Sequence, residues 1–232
     1  MTQTIRLEWQ PYGRHALLLS VDGDSDVVRE AMDQWLVKLH SAALPEGVSE
    51  WVPGFRSILF YCDSLEAKAS ARLIGQLETL LRRVSAQSNG TQSCLHRIPV
   101  VYDGEDLAQV ARQSGLPVED VIALHAAPIY TVALIGFTPG FPYLYPLDPR
   151  LHLPRLNQPR KRVAAGSVAI GGEHAGIYSI DSPGGWHLLG RTRQRLFKPD
   201  DPQNPFLLKA GDRVQFYAVA DKVEMATRAT TS

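Results

Sequence analysis

Several things are scarce in this 232-residue chain. Its two cysteines, Cys62 and Cys94, form no CxxC pair and sit beside apolar or strand-like residues, which predicts two reduced, structural thiols. There is no net charge, with 24 Lys+Arg against 24 Asp+Glu, so no global field would hold a polyphosphate backbone or an anionic membrane. This argues against nucleic-acid and membrane partners. No apolar run approaches the ~20 residues that cross a bilayer, and the opening MTQTIRLEWQ lacks the basic-then-apolar order of a signal peptide. A cytoplasmic protein is expected.

Motifs are missing as well. Seven histidines give no HxH or HExxH, and the acidic residues give no DxDxDG loop, so no dedicated metal site is implied. There is no GxxxxGK[ST] phosphate loop. There is also no GxSxG elbow, so Asp181, Ser182 and His187 have no support as a hydrolase triad despite their closeness in the chain. Internal repeats and low-complexity tracts are lacking too.

What is present is globular: 44% hydrophobic residues, 18 Gly and 16 Pro, in a length that suits one large or two small domains. Residues 5 to 9 and 15 to 21 read as strands. Asp24 or Ser25 can cap a helix carrying Val27, Val28, Ala31, Trp35, Leu36 and Leu39 at three- and four-residue steps. Strands at 48 to 52 and 58 to 61, separated by Pro53-Gly54, precede a second helix with Leu65, Ala69, Leu73, Leu77, Leu80 and Val84 on one side. The order ββαββα predicts an α+β fold beginning with a small ferredoxin-like α/β sandwich over residues 1 to 90, its two helices on one face of an antiparallel sheet. Residues 85 to 93 read as a linker.

From Ile98 the pattern changes to a strand IPVVY and helices at 105 to 113 and 118 to 125. Most of the Gly and Pro then fall between 129 and 220, among short β-like runs at 130 to 136, 167 to 170, 186 to 189 and 213 to 219. A closed or nearly closed β-barrel domain over 96 to 220 is predicted, with a fraying tail at 221 to 232.

Four segments carry candidate chemistry: GFTPGFPYL at 136 to 144, LPRLNQPRKRVAAGSVAIGG at 153 to 172, GIYSIDSPGGWHLLGRT at 176 to 192 and AGDRVQFY at 210 to 217. In the first, two glycines and two prolines around Phe137 and Phe141 make a stiff aromatic loop, suited to a pocket wall, an interface or a barrel plug. Residues 150 to 195 hold eight basic side chains against Glu173 and Asp181. Guanidinium forks in that surplus could hold a carboxylate or phosphate. Arg155 and Arg160 each follow a proline and Arg191 closes its segment, whereas Lys161 and Arg162 read as surface. Ser182 precedes Gly184, Gly185 and Trp186, where bare backbone amides could approach an anion. Gly171-Gly172 followed by Gly176-Ile177-Tyr178 reads as a hairpin, with Tyr178 an optional hydrogen-bond donor. His125 ends a helix, as a structural side chain or as an acid or base.

These segments in this order, with the IPV strand and Leu124-His125 before them, resemble the PxpB family of B-type 5-oxoprolinase subunits, also known as the KipI and allophanate-hydrolase-subunit-1 family and fused in urea carboxylases. The resemblance spans about residues 98 to 217 and implies a cyclophilin-like barrel. It implies a non-autonomous subunit of an ATP-dependent cyclic-amide hydrolase, acting with a larger homologous subunit (PxpC- or KipA-like) and a third subunit (PxpA-like). Its substrate would be a lactam or amide, and ATP with Mg would be bound by, or shared with, a partner. Under that reading His125, Arg155 and Arg191 are candidate catalytic groups. Arg160, Phe141, Tyr143, Tyr178, Ser182, Gly184, Gly185 and Trp186 would line the substrate or anion site. The family also contains an inhibitor of a sensor histidine kinase, and urea- or allophanate-processing and carboxyltransferase relatives, which stand as alternatives.

Overall fold

A computed structural model describes residues 5–63, 67–82 and 93–220. The chain divides into two compact units, Met1–Ser93 and Cys94–Ser232. The expected linker at 85 to 93, apart from Ser93, and the tail at 221 to 232 lie outside the described residues.

In the first unit, strands β1 (Arg6–Pro11) and β2 (Ala16–Asp22) precede helix α1 (Ser25–Ser41). Strands β3 (Val48–Pro53) and β4 (Ser57–Cys62) then lead to helix α2 (Ala67–Arg82). The sheet is antiparallel in the order β1-β2-β4-β3. Alternation along β2 and β4 sends Leu17, Leu19, Val21, Ile58, Phe60 and Cys62 to one face. There they meet Val28, Met32, Trp35 and Leu39 of α1 and Leu73, Leu77 and Leu81 of α2. Asp24 caps α1, its carboxylate accepting the amides of Asp26 and Val27 at 3.0 and 3.4 Å. Of the α2 stripe, Leu65, Val84 and the Ala69 side chain lie outside the described residues.

The second unit contains β5 (Leu95–Val100), α3 (Leu107–Ser114), α4 (Val118–Ala126), β6 (Ile129–Ile135), β7 (Pro142–Tyr145), β8 (Arg160–Val163), β9 (Ser167–Gly171), β10 (His174–Ile177), β11 (Ser182–Gly184), β12 (His187–Arg191) and β13 (Arg213–Ala218). Seven strands form one curled sheet in the order β12-β9-β10-β7-β6-β13-β5, with β13 and β5 parallel. Its two edges meet where Val101 and Arg191 exchange amide hydrogen bonds of 2.9 Å each way. Inside the curl, Val100, Val132, Leu144, Val168, Ile170, Ile177 and Phe216 pack with Leu107, Val110 and Val121 of the two helices.

A second cluster lies on the other face of β9, where Ala169 alternates with the inward Val168 and Ile170. A two-stranded ribbon of β8 and β11 contributes Val163 to it. Three sequence readings change here. Residues 142 to 145, read as loop, form a sheet strand, and the basic run at 160 to 163 and the Ser-Pro-Gly segment at 182 to 184 pair as a ribbon. The residues at 171 to 176 form the expected hairpin.

Candidate functional site

The cluster between the sheet and the ribbon is aromatic. Phe141 sits at its centre, edge-on to Tyr143, Tyr178 and Trp186 at centroid distances of 5.1, 5.2 and 5.4 Å. Phe141, Tyr178 and Trp186 are buried, and Tyr143 is half-buried, also edge-on to Trp186 and to His174. Glycine makes this packing possible. A Cβ on Gly176 would stand 2.9 Å from the Phe141 ring and 3.0 Å from Trp186, and one on Gly184 would stand 2.1 Å from the Tyr178 hydroxyl. Gly184 therefore serves ring packing, and its neighbour Gly185 gives its carbonyl to the Leu156 amide at 2.7 Å. Burial raises the Tyr178 phenol pKa, partly offset by its hydrogen bond with the Trp186 backbone. Ser182 is buried with no hydrogen bond to its hydroxyl among the described residues.

The basic surplus resolves mostly into ion pairs. Arg160 places its guanidinium 2.6 Å from Glu105 and 2.7 Å from the buried Asp106, and reaches the Trp186 carbonyl at 3.4 Å. Asp106 in turn accepts the Leu188 amide at 2.7 Å. Arg191 holds Asp103 at 2.7 Å, Arg162 holds Asp181 at 2.6 Å, Arg150 holds Asp148 at 2.8 Å, and Arg195 holds Asp200 at 2.8 Å. Arg155 instead lies over the Trp186 ring, 5.8 Å from its centroid, and makes no ion pair among the described residues.

A cleft of about 670 Å³ opens beside this cluster, lined by Gly166, Ser179, Arg191, Thr192, Arg193 and Arg195 among others. The aromatic loop borders it. Ser179 donates to the Pro139 carbonyl at 2.6 Å, and Phe197, another lining residue, would lie 3.2 Å from a Cβ on Gly140. Phe137, at the loop tip, is exposed and holds a left-handed φ of 67°. Arg193 is exposed and makes no ion pair among the described residues. Ser179 and Thr192, whose hydroxyls are hydrogen-bonded to the Pro139 carbonyl and the Gln194 amide, and Asp181, held by Arg162, share this lining, and the Arg193 guanidinium can bind a carboxylate or phosphate. The pattern Arg191-Thr192-Arg193-Gln194-Arg195 was the available signal, since alternate residues of an extended segment share a side.

The predicted residues thus separate into three places. Phe141, Tyr143, Tyr178 and Trp186 come together with Arg155, Arg160, Ser182, Gly184 and Gly185 around them. Arg191 lies at the far end of β12, in the cleft. His125 belongs to neither group: it is wholly buried, stacked on Phe216 at 4.7 Å, with Nδ1 2.8 Å from the Tyr102 hydroxyl. Burial drives its pKa down to about 3, so it is a neutral core imidazole.

The family described as carboxyltransferase domain, subdomain C and D, matches residues 7–208. The B-type 5-oxoprolinase subunit of Haemophilus influenzae is 52% identical over 122 residues, covering 51% of this chain and 57% of that protein. Its counterpart in Bacillus subtilis is 36% identical over 187 residues, covering 76% of this chain and 78% of that protein. The crystal structure of TTHA0988 superposes with a TM-score of 0.73 at 37% identity, covering 90% of this chain and 40% of that one. The matched stretch therefore spans little more than half of the Haemophilus protein and less than half of TTHA0988. With most of its length inside one family and with relatives above one-third identity, the chain belongs to the family of B-type 5-oxoprolinase subunits, within the carboxyltransferase subdomain C and D group.

Proposed function

We propose that this chain is a subunit of an ATP-dependent 5-oxoprolinase, which converts 5-oxo-L-proline, ATP and water to L-glutamate, ADP and phosphate. The observation that carries this reading is the likeness to the B-type 5-oxoprolinase subunit of Bacillus subtilis over 76% of the chain. The chain acts with a larger homologous subunit and a third partner, and is inactive alone. A lactam resists water because its amide is resonance-stabilised, and transfer of phosphate to the ring oxygen supplies a leaving group. Such chemistry needs fixed cations and a water-excluding wall.

In this chain Arg193 and Arg155 supply the cations. Arg191 and Arg160, already held by Asp103 and by Glu105 with Asp106, position β12 and the ribbon. The loop bearing Phe137 and Phe141 forms the wall, anchored by Ser179. In the cleft Arg193 suits a phosphate group, with ATP and Mg held here or shared with the larger subunit.

The test is glutamate release from 5-oxoproline by the reconstituted complex. Arg193→Ala is expected to lower the ATP-dependent rate by about 100-fold, the scale of a lost charge-assisted contact of roughly 3 kcal/mol, with the complex intact by size-exclusion chromatography. Full activity in both Arg193→Ala and Arg155→Ala would overturn the assignment of the site. No activity in any intact combination of subunits would overturn the reaction.

A further inference from the structure

Asp212 lies in the AGDRVQFY segment, which the proposed site leaves unused. It precedes β13, and the parallel register pairs Arg213 with Leu95 and Val214 with His96, so Asp212 arrives beside the start of β5. Cys94, immediately before β5, and His96, within it, are two residues apart. The thiol sulfur, an imidazole nitrogen and a carboxylate oxygen of these three residues lie within 4.8 Å of one another.

We propose that Cys94, His96 and Asp212 bind a zinc-class divalent cation that staples the start of β5 to the start of β13. The donor set is one soft sulfur, one imidazole and one carboxylate, which suits Zn²⁺ and not the oxygen-seeking Mg²⁺ or Ca²⁺. The geometry is nearly formed. His96 Nε2 is buried, stands 3.3 Å from Asp212 Oδ2 and makes no well-formed hydrogen bond among the described residues. That separation equals the ligand-to-ligand edge of a tetrahedron with bonds of about 2.0–2.1 Å. The carboxylate is already oriented, because Oδ1 accepts the Cys94 amide at 3.3 Å and Oδ2 accepts the Lys209 amide at 3.0 Å. Asp212 itself is 3% exposed, whereas the Cys94 thiol is at the surface. Binding requires the Cys94 sulfur to close to the roughly 3.6 Å of a tetrahedral edge, and three protein ligands leave the fourth position open. Binding releases the thiol proton to solvent. The 118 positions between Cys94 and Asp212 explain why no local motif announces the site.

The experiment uses the full chain, stripped with a chelator under reducing conditions and titrated first with Co²⁺ and then with Zn²⁺. One equivalent of Co²⁺ is expected to produce a thiolate-to-cobalt charge-transfer band, retained in Cys62→Ser and absent in Cys94→Ser. His96→Ala is expected to weaken Zn²⁺ binding by about 100-fold. Without metal, Cys94→Ser and the native chain should melt at the same temperature, so a lost band would not reflect misfolding. Lack of the band in the native chain, its survival in Cys94→Ser, or unchanged Zn²⁺ affinity in His96→Ala would each overturn the site.

Discussion

The two units differ in what they bury. Every buried Asp, His, Ser and Thr among the described residues lies in the second unit: Asp106, His125, Thr131, Ser167, Ser182, His187, Thr192 and Asp212. In the first unit the ion pairs of Arg29 with Asp26 and of Arg56 with Asp22 are exposed, and that of Arg82 with Glu78 is largely so. The first unit therefore closes by matching apolar faces. The second has short strands with little room for a periodic face, and long-range polar contacts fix where those strands sit. A buried polar group is costly when left alone, so each such contact specifies one partner.

The largest test of this contrast is Asp106→Ala. It removes the acceptor of the Leu188 amide and one of the two carboxylates that hold Arg160, joining segments 82 and 54 positions apart. A loss of about 3–5 kcal/mol is expected in urea unfolding, with hydrogen exchange accelerated in β12 and β8 and unchanged in the first unit. A loss under about 1 kcal/mol would mean that apolar packing alone places the ribbon.

Next in size is a pH effect. His125 is neutral in the folded core, with its pKa lowered from 6.5 to about 3, while the unfolded chain protonates it below 6.5. The unfolded state then binds more protons, so stability is full above pH 6.5 and falls as pH drops toward 3. Between pH 7 and pH 5 this group alone should remove about 2 kcal/mol. His125→Phe, which keeps a ring against Phe216, should flatten that slope in urea titrations at the two pH values. An equal slope in both proteins would show that His125 is not the group responsible.

The same contrast explains what could be read from the sequence. The apolar steps at Val28, Trp35, Leu36 and Leu39 mark a helix face directly, and the alternation of Leu17, Leu19 and Val21 marks a strand face. A strand of three or four residues such as 182 to 184 or 160 to 163 expresses no period, and the latter is almost wholly basic, so neither reads as a strand. In the candidate site, Phe141, Tyr143, Tyr178 and Trp186 were grouped through the family resemblance, and the glycines beside them, read as openings for an anion, instead let the rings lie close to backbone. The arginines were legible as charge and not as geometry. Arg160 and Arg191 have their carboxylates in the segment 103 to 106, far away in sequence, and no local pattern distinguishes them from Arg155 and Arg193, which make no ion pair among the described residues. His125 shows the same limit, since Tyr102 and Phe216 enclose it only after the sheet has curled.

The smallest predicted effect belongs to the first unit and closes the comparison from the other side. Asp24 is exposed and accepts two amides at the start of α1, a contact made within three residues of the chain. Water can replace those bonds, so Asp24→Ala should cost only about 1 kcal/mol, and Asp24→Ser, which keeps an acceptor, should recover most of it. The neighbouring Arg29→Ala, which breaks an exposed i,i+3 pair, should change urea stability by less than about 0.5 kcal/mol. A cost for Asp24→Ala as large as that of Asp106→Ala would show that the first unit also relies on polar contacts to specify its fold. The distinction would then rest on strand length alone, and burial of the polar group would no longer separate the two units.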